Sequence, residues 1–133
     1  MHAHTQHTAP HSVSHPGYLV KIAAAIDELN QQHHAALAMS HRTDAQRAAR
    51  AARLALNSAR MAAWWGVLSG YLAHDPQMHR LHLRAAVIAE ADEKSNARFW
   101  REAAADWQAR AEHRPTSDAA GALSNWHELG VTA

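Results

Sequence analysis

The chain has 133 residues, contains no cysteine and carries a formal net charge of +1. Its length suits a single domain with a hydrophobic core, and the absence of cysteine excludes disulfides, thiolate zinc sites and cysteine nucleophiles. Helix-forming residues dominate, above all Ala, and no segment alternates with period two, which predicts an all-α fold. No apolar run approaches the roughly 20 residues of a membrane span, and the N-terminus lacks the apolar core of a signal peptide. We therefore expect a cytoplasmic protein that makes no membrane contact.

Residues 1–16 hold five histidines and two prolines, without apolar periodicity. This composition predicts a flexible His-rich tail, followed by a helical bundle domain over residues 17–133. Unconstrained imidazoles bind Ni²⁺ or Cu²⁺ adventitiously near pH 7, so the tail by itself indicates no dedicated metal site.

The first helix is predicted from about Tyr18 to Ser40. Its apolar positions are spaced by three and four residues, as on one face of a helix; they are Leu19, Ile22, Ile26, Leu29, His33 and Ala36. We interpret His33 as a buried or half-buried core residue that is hydrogen-bonded to a neighbour, not as a ligand.

The second helix is predicted to follow an N-cap at Thr43 and to run to about Ala73, with Asp44 in its first turn. One heptad stripe of this helix holds nothing larger than Ser: Ala45, Ala48, Ala52, Ala55, Ala59, Ala62, Gly66, Ser69 and Ala73. A second stripe carries large apolar side chains: Leu54, Met61, Trp65, Leu68 and Leu72. A helix with two apolar stripes has two neighbours, so this helix is predicted to be the centre of the bundle. The small stripe is predicted to be closely packed, so that Leu in place of Ala52 or Ala59 would overpack it.

The third helix is predicted to start at Asp75-Pro76, an N-cap followed by proline at the first helical position, and to reach about His113. Its predicted apolar face comprises Met78, Leu81, Ala85, Ala89, Phe99, Trp100, Ala103 and Trp107. Residues 92–96 place polar side chains on that face, so the helix either projects beyond its neighbours there or bends or breaks, with Ser95 as the cap of a new helix; we favour a bend or break. Pro115 ends the segment, and a short C-terminal helix is predicted from Ser117 or Asp118 to Gly130. The predicted fold is an antiparallel bundle of three long helices plus this short one.

Eleven of the thirteen basic residues are Arg, whose planar guanidinium suits bidentate contacts with phosphate and stacking on aromatic rings. The residues predicted to contact a nucleic-acid backbone are Arg42, Arg47, Arg50, Arg53, Arg60, Arg98 and Arg101. In an antiparallel hairpin, residues near position 50 would lie beside those near position 99 and bring both groups to one end. Aromatic residues interleave with these arginines and could stack on the bases of a single strand or of RNA. The alternative is that the arginines form a solvated face and pair with acidic side chains of the same chain.

No residue pattern predicts catalysis or a dedicated metal site. His79 and His82 have helical ligand spacing, but Glu90 and Glu93 lack the histidine three residues on that a di-iron bundle requires. The serines lie in no nucleophile elbow, and no glycine-rich loop could hold a phosphate. The sequence therefore predicts a protein that is not an enzyme and has no cofactor.

In size and composition the chain resembles small, all-helical, Arg-rich subunits of nucleoprotein machines, such as the small subunits of CRISPR effector complexes. This resemblance is one of class and assigns no residue. The favoured interpretation is a non-catalytic helical subunit that contacts nucleic acid through its arginines and other subunits, or a second copy, through apolar helix faces. The alternatives are a protein-only interaction or regulatory module and a His-rich metal-handling protein.

Overall fold

The computed structural model describes residues 16–116, which contain three helices and no strand. These are α1 (Pro16–Leu37), α2 (Asp44–Ala73) and α3 (Arg80–Ala111). The helices pack against one another, which confirms the prediction of an all-helical bundle. None of the three is apolar over a length that could cross a membrane. The predicted tail and the predicted C-terminal helix at 117–130 lie outside the described residues.

Helix α1 ends at Leu37, three residues before the predicted end, because the chain turns there to enter α2. The carbonyl of Leu37 accepts a hydrogen bond from Arg50 Nε at 3.2 Å, which satisfies one of the backbone acceptors that every helix C-terminus leaves open. The predicted apolar face is confirmed: Ile22, Leu29 and Ala36 are buried. His33 is half-buried on the same face, as expected, but it makes no hydrogen bond with another described residue, so that part of the prediction is not confirmed.

Helix α2 begins where the sequence predicts, with a complete capping box. The Thr43 hydroxyl accepts a hydrogen bond from the backbone N–H of Gln46, and the Gln46 side chain accepts one from the backbone N–H of Thr43. Gln46 Oε1 also accepts hydrogen bonds from the Ser40 hydroxyl and the Arg42 backbone N–H. This single amide therefore holds together the whole turn that precedes α2.

Helix α2 is the central helix, as predicted, and packs against α1 on one side and α3 on the other. The Tyr18 ring near the start of α1 lies 5.5 Å from the Tyr71 ring near the end of α2. Trp107 near the end of α3 lies against Arg47 near the start of α2. Both pairs show that neighbouring helices run antiparallel.

The large apolar stripe of α2 forms the core, with Leu54, Met61 and Leu72 buried. The prediction for the small stripe is wrong for four of its nine members. Ala48, Ala62 and Ser69 are buried, whereas alternate members face solvent: Ala45, Ala52, Ala59 and Ala73. Replacing Ala52 or Ala59 with Leu is therefore not expected to overpack the bundle. The reason is geometric, because a three-helix bundle leaves the outer side of its central helix uncovered.

Helix α3 starts at Arg80, so the predicted start at Asp75-Pro76 is wrong. The Asp75 carboxylate accepts a hydrogen bond from the backbone N–H of Gln77, which closes a separate turn before the helix. His79 is the actual N-cap, and its Nδ1 accepts a hydrogen bond from the backbone N–H of Leu81. The side chain of Asp75 caps a turn, but this turn does not continue into a helix.

Helix α3 is continuous over 32 residues, so the predicted break at residues 92–96 is wrong. The predicted apolar face is rotated: Leu81 and Phe99 are 65% and 61% exposed. The buried positions are small instead, namely Ala86, Ala97 and Ala109. Asp92 and Asn96 therefore point to solvent, and polar residues at 92–96 give the helix no reason to break.

Candidate nucleic-acid interface

Two of the seven predicted arginines hold the fold together. Arg50 closes the end of α1 through its bond to the Leu37 carbonyl. Arg47 donates from Nε to the carbonyl of His41 and pairs with Asp44, both at 3.0 Å. Each guanidinium is half-buried in its contacts. These two side chains already have partners within the chain.

Arg47 also stacks on Trp107, which joins the start of α2 to the end of α3. Its guanidinium carbon lies 4.8 Å from the centre of the indole, and that of Arg110 lies 4.7 Å away. Trp107 therefore contacts two cations, an arrangement that is favourable because the ring face is electron-rich. The expected interleaving of Arg with aromatics exists here, but as an intramolecular contact.

Arg53 and Arg60 are exposed and make no hydrogen bond or ion pair with other described residues. They line a cleft of about 380 Å³ between α2 and α1, opposite Gln32 and Met39. Arg42 is exposed in the turn before α2, where its backbone, not its guanidinium, makes the described hydrogen bond. These three guanidinium groups are open to an external anion.

Arg98 and Arg101 line a second cleft, of about 570 Å³, between α3 and α2. Its floor consists of small residues: Ala59, Ala62, Ala63, Gly66 and Ala97. Lys94 lies in the same cleft and pairs with Glu90 at 2.9 Å. Arg98 makes one long contact, 3.4 Å to the Ser95 hydroxyl, and Arg101 makes none with the described residues. The cleft therefore combines an apolar floor with a mainly cationic wall that also contains the Glu90 carboxylate.

The cationic wall extends along most of α3 as a stripe that we call the α3 basic stripe. Its seven exposed positions follow an unbroken heptad spacing: Arg80, Arg84, Val87, Ala91, Lys94, Arg98 and Arg101. Five of the seven are cations and none is acidic. Only Arg98 and Arg101 of this stripe were predicted from the sequence, although the spacing of three and four residues already indicates that all seven positions share one helix face. The assumed break at 92–96 hid the stripe by dividing it.

The register brings this stripe beside the open arginines of α2. Arg47 lies beside Trp107, and a Cβ on Gly66 would stand 3.1 Å from Glu90 Oε1. These two contacts set the alignment of the helices. Along the bundle axis, Arg98 and Arg101 of α3 therefore lie beside the segment of α2 that runs from Arg53 to Arg60. The expected pairing of position 50 with position 99 is therefore shifted by more than one turn, but the two basic groups do share one half of the bundle.

Between the two clefts lies a solvent-exposed apolar surface, which we call the outward face of α2. Its members are Ala45, Ala49, Ala52, Leu56, Ala59, Ala63, Val67 and Gly70. Leu56 and Val67 are 43% and 38% exposed. Asp44 at the first position is the only acidic residue of α2, so this apolar face has cations along both edges, and Glu90 adds one carboxylate on the α3 side.

The aromatic residues are divided between exposed and half-buried positions. Phe99 is exposed beside Arg98, and its ring meets Trp100 edge-on with a centroid separation of 5.0 Å. Trp64, Trp100 and Trp107 are half-buried. Among the aromatic rings close to the predicted arginines, Phe99 is therefore the one that is largely exposed.

Two histidines near the turn between α2 and α3 make local contacts with the backbone. Nδ1 of His74 lies 2.7 Å from the Gly70 carbonyl, and His79 caps α3. Within residues 16–116, no three His, Asp or Glu side chains come together as potential metal ligands.

No protein-family model matches the chain, and no curated protein or solved structure is significantly similar to it.

Proposed function

We propose that the chain is a non-catalytic helical subunit that binds the sugar–phosphate backbone of a nucleic acid within a larger assembly. The α3 basic stripe supplies most of the contacts, and Arg53 and Arg60 add to them from the other side of the outward face. The observation that carries the proposal is the composition of the stripe, five cations in seven exposed positions without an acid. We propose further that this nucleoprotein subunit is cytoplasmic and has a short C-terminal helix, as the sequence predicts.

The length of the stripe suits a polyanion better than a small ligand. Arg80 and Arg101 are 21 positions apart in one continuous helix, so the stripe is roughly 32 Å long at 1.5 Å per residue. A linear polyanion can place several phosphates along such a row, and each neutralised phosphate releases counterions that favour binding. Arg53, Arg60 and Arg101 make no hydrogen bond or ion pair with another described residue. Binding of a phosphate to these side chains therefore breaks no described contact within the protein.

The exposed ring and the shape of the protein favour a single strand or RNA over the groove of a duplex. Phe99 stands beside Arg98, at one end of the stripe, where it could stack on an unpaired base. A recognition helix that enters a major groove would present polar side chains to base edges. The α3 basic stripe presents cations together with Val87 and Ala91, which suit phosphate contacts and not base readout, so we expect little sequence preference.

The test is a binding titration with single-stranded and duplex oligonucleotides over a series of salt concentrations. Replacing Arg84, Arg98 and Arg101 together with Gln should weaken binding. It should also flatten the slope of log affinity against log salt by about 2 units for a single strand, from roughly 0.7 per lost phosphate contact. The matched control removes the same charge elsewhere, through Lys21→Gln, Arg110→Gln and Arg114→Gln. Equal effects of the two triple variants would mean that net charge, not the stripe, drives binding.

No binding by the parent at low salt, alone or in its native complex, would overturn the proposal. A protein-only interaction module would then be favoured, because the exposed Leu56 and Val67 give α2 an apolar surface that a protein partner could cover. The His-rich metal-handling alternative rests on the tail alone, since the described residues offer no cluster of ligands.

A further inference from the structure

The outward face of α2 is an apolar helix face that no described residue covers. Near the start of α2 it consists of Ala45, Ala49, Ala52 and Leu56, all exposed. These small side chains would let another helix approach closely and would accept large side chains from it. At this level Arg53 stands on one edge and Arg101 on the other, so an occupant with negative charge is favoured over one with positive charge.

Helix α3 ends at the end of the bundle where this face begins. His113 has φ 55°, and the backbone N–H of Arg114 donates to the carbonyl of Ala109. A left-handed residue with this backward hydrogen bond ends a helix and reverses the chain. Because Trp107 contacts Arg47, the reversal takes place at the end of the bundle where α2 begins.

The residues that follow Thr116 have the composition that this face requires. Residues 117–130 place apolar side chains at helical spacing: Ala119, Ala122, Leu123, Trp126 and Leu129. Residues 117–133 contain two acids, Asp118 and Glu128, and no Lys or Arg. In sequence, Ser117 or Asp118 is of the type favoured at an N-cap, and Gly130 is of the type favoured just after a helix end.

We propose that residues 118–129 form a fourth helix that packs on the outward face of α2, parallel to α2 and antiparallel to α3. Twelve helical residues extend roughly 18 Å, close to the roughly 16 Å between Ala45 and Leu56 at 1.5 Å per residue. Leu123 and Trp126 then lie over the small side chains of α2. The exposed apolar residues Leu81 and Ile88 of α3 are too far along the bundle for a helix of this length to reach.

A second copy of the chain is a poorer occupant of the same face. In a dimer joined through two outward faces, the basic edges of the two copies would lie close together. Arg53 and Arg60 of one copy would then be near the cations of the other. Like charges brought this close at an interface cost free energy. The segment at 117–130 brings two acids and no cation, so it meets no such repulsion.

The test is amide hydrogen exchange of the full chain, resolved by peptide, with no nucleic acid present. Exchange within residues 118–129 should be at least about tenfold slower than in an isolated peptide of residues 112–133, because docking protects helical amides. Leu56→Glu, which places a charge on the face, should remove this protection while leaving exchange in α2 unchanged. Val20→Glu makes the same substitution at an exposed apolar position of α1 and should have no effect on the segment.

Three results would overturn the proposal: exchange as fast as in the isolated peptide, protection that survives Leu56→Glu, or protection that is lost on dilution. The last would identify the occupant as a segment from a second copy. Because the experiment uses the protein alone, its outcome does not depend on whether the chain binds nucleic acid.

Discussion

At the scale of single residues, the most unusual feature is a pair of buried polar side chains in the middle of α2. Asn57 and Ser58 are 2% and 1% exposed, and their polar side-chain atoms have no hydrogen-bond partner among the described residues. A buried polar group without a partner loses its contacts with water and gains nothing in return. We therefore expect these two residues to lower the stability of the bundle.

Replacing the Ser58 hydroxyl should stabilise the protein. We expect Ser58→Ala to raise the free energy of unfolding by about 1–2 kcal/mol, because it removes an unpaired buried group and introduces a better helix former. Denaturant unfolding followed by circular dichroism measures the change. The matched control is Ser69→Ala, since the Ser69 hydroxyl is also buried but donates to the Trp65 carbonyl at 2.9 Å. If both variants change stability equally, Ser58 has a partner after all.

The two glycines of α2 offer a second comparison between similar sites. A Cβ on Gly70 would meet nothing within 4 Å, whereas one on Gly66 would stand 3.1 Å from Glu90 Oε1. Gly70→Ala should therefore stabilise the protein by about 1 kcal/mol, the usual difference between Gly and Ala inside a helix. Gly66→Ala should give a smaller gain, because the Glu90 carboxylate must move. Thermal unfolding of both variants would test this order, and a larger gain at Gly66 would contradict the described packing of α2 on α3.

At the scale of helices, the arginines of α2 divide into those that join helices and those that face solvent. Arg47 links α2 to α3 through Trp107, and Arg50 links α2 to the last carbonyl of α1. Arg53 and Arg60 lie further along the same helix, where the clefts leave them exposed. Identical residue types on one helix therefore have different roles, according to which neighbouring helix each one meets.

This division predicts different effects of one substitution at four positions. Arg47→Gln and Arg50→Gln should each lower the free energy of unfolding by about 1 kcal/mol, since each removes a hydrogen bond between segments of the chain. Arg53→Gln and Arg60→Gln should change it by less than about 0.5 kcal/mol, as is usual for exposed sites. Chemical denaturation measures all four. Equal stability of the four variants would show that the Arg47 and Arg50 contacts contribute nothing in solution.

The starts of α2 and α3 show when a helix boundary can be read from sequence. The start of α2 was predicted correctly because its signal is entirely local, with Thr43 and Gln46 three residues apart and bonded to each other. The start of α3 was wrong because two local signals compete. Asp75 caps a turn that ends at once, and His79 caps the helix that continues. Histidine is not a strong N-cap in general, so the sequence pattern favoured the wrong one.

At the scale of the whole molecule, the His-rich residues 1–15 are predicted to add nothing to the stability of the bundle. They contain no periodic apolar positions to bury, so deleting them should leave the melting temperature unchanged. The same deletion should lower retention on immobilised nickel, because it removes five histidines. Calorimetry and a nickel column test the two parts. A clear fall in melting temperature would mean that the segment packs on the bundle.

The sequence by itself determined the features that depend on neighbours along the chain. These include the all-helical class, the buried face of α1, the capping box of α2 and the large apolar stripe that makes α2 central. Helical periodicity and capping involve residues three to seven positions apart, so they are visible without a fold.

Only the tertiary structure decided which faces are covered and which arginines are open. Leu37 and Arg50 are 13 positions apart, Arg47 and Trp107 are 60 apart, and no local rule pairs them. The small stripe of α2 was predicted to be buried throughout, but two neighbours cover only part of a helix, so alternate members remain exposed. The continuity of α3, which unites the α3 basic stripe, likewise follows from packing of its small residues against α2. A spacing pattern shows that residues share a face, whereas the positions of the other helices decide whether that face meets protein or solvent.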